Sequence, residues 1–246
     1  LKSVIDQGIR YVAQGNSSAV ALALSDAITK HNERNPGKEI VYFNYAAVDP
    51  ALTNEKCSFW HFRTDANADQ KMEALTTYMK DNQNIKKVYL INQNYSFGQA
   101  VAKAAKEMLG RKRSDVQIVG EDLHPIGQVK DFAPYVAKIK QSGADSVITG
   151  NWGADLALLI KAAKEANLQA NFYTYYAGTT GVPTAMGASG EDRVRQVAVW
   201  SPNDKTFTGK DIREDFAKKY NADFYVAQSY ATIKMLSEAI KKTGSP

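Results

Sequence analysis

Cysteine occurs once in this chain, at Cys57, and histidine three times, at His31, His61 and His124. One thiol excludes an intrachain disulfide framework and a cysteine-based zinc site. The histidines are too widely spaced for a histidine-rich metal centre, so neither a metal nor a cofactor is expected. No run of about 18 apolar residues occurs, so no segment reads as a membrane span and no stable membrane insertion is expected. Neither G-x-G-x-x-G nor G-x-x-x-x-G-K-[ST] is present; Gly209-Lys210-Asp211 ends on Asp where a phosphate loop needs a hydroxyl. Internal repeats and low-complexity tracts are also missing. Charge of one sign is not in large excess: 31 basic against 26 acidic residues leave +5. The basic pairs Lys86-Lys87, Arg111-Lys112-Arg113, Lys218-Lys219 and Lys241-Lys242 are scattered. A nucleic-acid partner calls for one stripe with interleaved aromatics, so these pairs read as solvated surface and no nucleic acid is expected.

What is present is an ordinary globular composition, 44% hydrophobic and 23% charged over 246 residues. That length suits one large or two modest domains. Leu1-Lys2-Ser3-Val4-Ile5 reads as the middle of an amphipathic helix, and no signal peptide is visible. The chain is therefore expected to begin partway through its gene product. Short apolar runs alternate with helical patterns. Strands are expected at Tyr11–Gln14, Ile40–Asn44, Lys87–Asn92, Val116–Glu121, Ser146–Gly150, Asn171–Tyr175 and Gln196–Trp200. Helices are expected at Ser18–Asn35, Ala66–Lys80, Gly98–Gly110, Asp131–Ser142, Ala154–Ala166, Lys210–Tyr220 and Val226–Thr243. Leu156, Leu159, Ile160 and Ala163 show the helical spacing. Alternation of this kind predicts βαβ units and a mostly parallel sheet covered by helices. Two segments break the rhythm: the aromatic Cys57–Asp65 and the polar Ser201–Gly209. They divide the chain into two α/β lobes, residues 1–64 with 207–246 and residues 65–206. Both final helices then return to the first lobe.

Parallel sheets bind ligands beyond the carboxyl ends of their strands. Five loops at such ends are informative. Gln14-Gly15-Asn16-Ser17-Ser18-Ala19 joins a strand to a helix; Ser17 or Ser18 can cap that helix, and free N–H groups there favour an anion. A plain serine cap explains the same residues. Asn44-Tyr45-Ala46-Ala47-Val48-Asp49-Pro50 offers backbone contacts and Tyr45; an ordinary turn closed by Asp49-Pro50 is the alternative. The loops holding Tyr95 and Phe97, Trp152, and Tyr175 and Tyr176 bring aromatics to three successive strand ends beside Asn, Gln and Gly. That pattern fits an apolar pocket with a few convergent polar groups. Gly15-x-Ser17-x-Ala19 is one residue short of a nucleophile elbow, and Asp122 and His124 could complete a Ser…Asp…His order. No HGGG-like oxyanion segment accompanies it, and an enzyme is not expected. His61, in an aromatic strand, reads as a packed, satisfied histidine.

The order and spacing of several segments resemble the Leu/Ile/Val-binding proteins, the type I periplasmic substrate-binding proteins of branched-chain amino-acid ABC transporters. The segments are Tyr11-Val12-Ala13-Gln14-Gly15-Asn16-Ser17-Ser18-Ala19-Val20, Asn44 to Thr53, Val88-Tyr89-Leu90-Ile91-Asn92 with Tyr95-Ser96-Phe97-Gly98, Asp131-Phe132-Ala133-Pro134 and Gly143-Ala144-Asp145-Ser146-Val147. The resemblance covers essentially the whole chain. It implies two Rossmann-like lobes joined by three crossovers, closing on a small ligand in the cleft. It also implies family segments before Leu1 and after Pro246. The family's carboxylate-holding serine matches Ser18, and the loop whose backbone holds the ammonium matches Ala46, Ala47 and Val48. Its second-lobe aromatics match Phe97 and Trp152. Two positions depart from the family: a threonine is Val48 here, and the acid that pairs with the ammonium falls at Tyr176 or Ala177. The resemblance implies a small carboxylate ligand, such as an amino acid or an aromatic acid, and ABC permease subunits as partners. It implies a periplasmic location, or an extracellular, membrane-associated one in a bacterium lacking an outer membrane. A ligand-sensing domain of a signalling receptor keeps the same fold and stays open at this point.

Overall fold

The computed structural model describes residues 1–201, 210–222 and 227–244. The chain forms two compact units, Leu1–Asn67 with Val226–Pro246, and Ala68–Tyr225.

The first unit opens with a short helix α1 (Lys2–Asp6), followed by β1 (Tyr11–Ala13), α2 (Ser18–Arg34), β2 (Val41–Asn44), a 3₁₀ turn (Pro50–Thr53) and β3 (His61–Arg63). The three strands form one parallel sheet in the order β1-β2-β3. Helix α2 buries Ser18, Ala21, Ser25, Ile28 and Asn32, one face at the spacing a helix requires. Asn32 fixes its far end, because the side-chain amide both donates to the Ile40 carbonyl and accepts from the Ile40 N–H, each at 2.8 Å. Ile28, Ile40, Tyr42 and Leu52 form the core beneath.

The second unit contains α3 (Ala68–Lys80), β4 (Lys87–Gln93), α4 (Ser96–Lys112), β5 (Gln117–His124), α5 (Ala133–Gln141), β6 (Ser146–Thr149), α6 (Gly153–Glu165), β7 (Asn171–Thr174), α7 (Val182–Met186), a 3₁₀ turn (Gly187–Gly190), β8 (Val194–Gln196) and α8 (Lys210–Tyr220). Its five strands are all parallel, in the order β5-β4-β6-β7-β8. The central strand β6 is buried on both faces, as a sheet covered by helices requires. Helix α9 (Ala227–Thr243) belongs to the first unit.

Several sequence expectations shift. The aromatic segment after Cys57 contains a strand, β3, because Tyr42 and Phe43 pair with His61 and Phe62. Three residues are too few to show a period. The last strand of the second sheet lies at Val194–Gln196 rather than Gln196–Trp200. Helix α5 begins at Ala133, where the Asp131 carboxylate accepts the Ala133 N–H at 2.8 Å and Pro134 occupies the first turn. The first unit ends at Asn67 rather than at residue 64. Thr64 is tied within it: its hydroxyl lies 2.8 Å from that of Thr232 and 3.1 Å from the Gln228 carbonyl. Helix α8 goes with the second unit, not the first. An amphipathic pattern says that a helix packs, not on which sheet. Of the expected break at Ser201–Gly209, all but Ser201 lies outside the described residues.

Candidate functional site

In the first unit, the loops after β1 and β2 are built against each other. A Cβ on Gly15 would sit 2.7 Å from the Ala46 nitrogen and 2.8 Å from the Tyr45 ring, so only glycine lets these backbones meet. The Tyr42 hydroxyl donates to the Gln14 side-chain oxygen at 2.6 Å. The Ser18 hydroxyl, on a residue 3% exposed, accepts the Asp49 N–H at 3.2 Å.

Asn44 shapes the second loop and was not singled out in the sequence. Fully buried at the end of β2, its carbonyl oxygen accepts the N–H groups of Ala47 (2.7 Å) and Ala46 (3.2 Å). Its amide nitrogen donates to the Ala47 carbonyl at 2.7 Å and to His61 Nε2 at 3.1 Å. Burial, aided by the Arg63 cation, pulls the His61 pKa from 6.5 down to about 4, so the imidazole is neutral and can accept. Ala47 and Val48 are buried, and Tyr45 is half-buried. The Asp49 carboxylate accepts the Ala51 N–H at 2.9 Å and closes the loop before Pro50, as the turn reading expected.

The expected serine cap is absent: neither Ser17 nor Ser18 makes a side-chain bond to the start of α2. Ser17 instead occupies φ 64°, ψ 127°, a conformation that costs a non-glycine residue of order 1–3 kcal/mol. The first N–H of α2 with an intrachain acceptor is that of Ala21, which bonds the Ser17 carbonyl at 3.0 Å. The N–H groups of Ser18, Ala19 and Val20 have no acceptor among the described residues. Free donors at the positive end of a 17-residue helix are chemically able to attract an anion.

In the second unit, four of the five expected aromatics form a continuous chain of ring contacts. Tyr95 lies 5.9 Å from Phe97, and Phe97 lies 5.6 Å from Tyr175 and 5.8 Å from Tyr176. Trp152 joins through its indole N–H, which donates to the Tyr95 hydroxyl at 2.9 Å. Three strand ends meet because Asn92 accepts the Gly150 N–H at 2.7 Å, and Gly150 leaves room for the Phe97 ring. Tyr175 is fully buried and its hydroxyl donates to the Ala68 carbonyl at 2.9 Å; burial raises its pKa well above the usual value. It braces the cluster from behind. Tyr95, Trp152 and Tyr176 keep partial exposure. Lys71 was missed: a charged residue on an amphipathic helix reads as solvated, yet it is 3% exposed with its ammonium 5.2 Å from the Tyr176 ring.

The hydrolase partners are otherwise engaged. The Asp122 carboxylate accepts from the Tyr89 hydroxyl at 2.6 Å and Lys138 at 2.7 Å, and His124 bonds Asn151 and the Pro125 carbonyl. Among the described residues no group of three His, Cys, Asp or Glu side chains gathers to hold a metal, and no helix is long and apolar enough to cross a membrane.

A family model described as "Periplasmic binding protein" matches residues 1–246. Leu/Ile/Val-binding protein homolog 4 of Brucella abortus (strain 2308) is 39% identical over 195 residues, 79% of this chain and 46% of the relative. The Leucine-, isoleucine-, valine-, threonine-, and alanine-binding protein from Brucella ovis, in its closed conformation, superposes with a TM-score of 0.82 at 34% identity, covering 98% of this chain and 62% of that one. A solute-binding protein of an ABC transporter from R. palustris, crystallised with benzoate, superposes with a TM-score of 0.85 at 19% identity, covering 99% of this chain and 65% of that one. The last likeness speaks for the fold alone. The chain thus spans about half the length of the curated relative and under two thirds of these two structures. Parallel sheets flanked by helices, the strand-end loops and these matches agree: the chain belongs to the periplasmic binding proteins of type I, in the branched-chain amino-acid-binding family.

Proposed function

We propose that this chain is the extracytoplasmic solute-binding component of an ABC importer, and that its solute is a small carboxylate. The start of α2 carries the reading: three N–H groups without an acceptor among the described residues, beside a buried serine and a strained one. Such a terminus favours a carboxylate without any cationic side chain. Ser17, Ser18 and the loop Tyr45–Val48 are the proposed polar contacts. Tyr95, Phe97, Trp152, Tyr175 and Tyr176 are the proposed aromatic set, with Tyr175 behind the others. Lys71 places a cation against Tyr176, where the family resemblance implies an acid. With Tyr176 and Ala177 where the resemblance implies that acid, the ammonium partner of the family is lost at this position, and burying an ammonium unpaired is costly. The reading therefore favours a carboxylate with a flat or apolar body over leucine. The R. palustris protein, which shares the fold, was crystallised with benzoate. The Brucella ovis protein, named for leucine, isoleucine, valine, threonine and alanine, marks the other end of the range. The two compact units are proposed as lobes that close on ligand by hinge motion, with permease subunits as the partner and the periplasm as the place.

A thermal-shift panel of leucine, valine, benzoate and short aliphatic acids on the full chain tests this. A ligand at 100 times its Kd adds about 2.7 kcal/mol of stability, which a melting curve resolves. Benzoate or another simple carboxylate should raise Tm more than leucine does. A leucine shift larger than any other would show that a second group supplies the ammonium partner.

A further inference from the structure

His124 lies at the end of edge strand β5, fully buried, with its ring packed edge-on against Phe132 at 5.0 Å. Its two nitrogens have assigned work. Nδ1 lies 3.2 Å from the Pro125 carbonyl, which can only accept, so Nδ1 carries the proton. Nε2 is then a lone pair, and it accepts from the Asn151 side-chain amide at 2.8 Å. That fixes which way the amide faces: nitrogen toward the ring, oxygen away. The Asn151 oxygen, so placed, is buried without a partner. Asn151 directly precedes Trp152, and the rest of this loop is tied in the same manner. The Gly150 N–H donates to Asn92 at 2.7 Å, the Asn151 N–H to Thr149 at 3.0 Å, and the indole to Tyr95.

We infer that His124 is a positioning residue for the Trp152 loop, acting through the tautomer-locked Asn151 amide, and that protonating its ring turns that amide over. An imidazolium has two N–H donors and no acceptor. Its Nε2–H would face the Asn151 NH₂, donor against donor. Rotation of the amide brings the unpartnered oxygen onto the new N–H and releases the nitrogen. The Asn151 side chain thus has two arrangements, and the indole of the adjoining Trp152 reports which one is present. The titratable and charged groups around the ring have partners of their own. Asp122, on β5 itself, is held by Tyr89 of β4 and Lys138 of α5. Asp155 of α6 is held by the Gln93 amide, 2.7 Å away on the neighbouring strand β4, and by the Gly127 N–H at 2.9 Å. Tyr135 of α5 meets the ring at 5.8 Å, with Lys138 5.5 Å from the Tyr135 ring. The link to ligand rests on the proposed role of Trp152; the positioning does not.

The test is imidazole and indole ¹⁵N NMR on the full chain, where only three histidines and three tryptophans need assignment. At neutral pH His124 should show the Nδ1–H tautomer. On acidification the Trp152 indole resonance should move with the midpoint of His124. In His124→Gln, whose amide oxygen can still accept from Asn151 but does not titrate, that movement should vanish. An Nε2–H tautomer overturns the assignment. So does an indole resonance that stays still while His124 titrates, one that moves equally in His124→Gln, or a His124 that takes no proton before the chain unfolds. Benzoate and leucine binding are recorded on the same samples. If neither binds while the resonances behave as described, the ligand reading fails and the positioning assignment stands.

Discussion

The loops after β1 and β2 in the first unit are held by backbone and small side chains: Gly15 against Ala46, Ser18 on Asp49, and Asn44 on the N–H groups of its own loop. The corresponding strand ends of the second unit are held by rings, with Phe97 in contact with three tyrosines and Trp152 bonded to one of them. The first arrangement leaves helix N–H groups unspent and is the one proposed to meet charge. The second is built of ring faces and is the one proposed to meet a flat apolar body. The contrast shows that one architecture, parallel strands running into helices, does not dictate the chemistry at its strand ends; a few loop residues do.

The contrast can be broken most severely at the glycines that make it. A Cβ at Gly98, in the first turn of α4, would run into the backbone carbonyl of Gln93. Gly98→Ala should cost about 3 kcal/mol or more in urea unfolding of the second unit, and Gly15→Ala about 1–3 kcal/mol in the first, as backbone rather than a flexible side chain must yield. The next effect belongs to the first unit alone. His61 binds a proton at about 4 when folded and at 6.5 in its ordinary state. Between those values the unfolded chain holds more protons, so stability falls on acidification, by up to about 1.4 kcal/mol per pH unit. His61→Gln should flatten that segment of the stability profile; an unchanged slope would remove His61 as its cause. Ser18→Ala then separates charge recognition from shape: affinity for a carboxylate should drop by about tenfold or more, whereas a carboxamide analogue, if it binds, should be unaffected. Tyr175→Phe is the mildest, losing one buried bond to the Ala68 carbonyl for about 1 kcal/mol of stability. Its ligand affinity should hardly change, since the hydroxyl faces away from the cluster.

Periodicity carried the long elements. Helix α6 and the apolar middles of β4 and β6 bury the residues their spacing selects, whereas α2 was legible as a helix but buries Ser18, Ser25 and Asn32 on its inner face. The five loops were legible because Gly, Ser, Asn and aromatics at strand ends have few structural reasons to cluster. Three things were not. Strand β3 depends on pairing with β2, whose partner residues lie nineteen positions earlier. Asn44, His124 and Asn151 act through hydrogen bonds whose partners are set only in three dimensions, so each looks like any other polar residue in the sequence. The grouping of α8 with the second unit has no signature in its own residues.

The proposed function turns on a carboxylate at the start of α2, and matched acid–amide pairs address it directly. Thermal shifts of the full chain should be measured with benzoate against benzamide, and leucine against leucinamide. At least one acid should raise Tm while its amide, alike in shape but uncharged at the carboxyl end, leaves it unchanged, and Ser18→Ala should shrink the acid's shift. An amide that stabilises as well as its acid, or a panel in which no carboxylate moves Tm, would contradict the anion site and the function built on it.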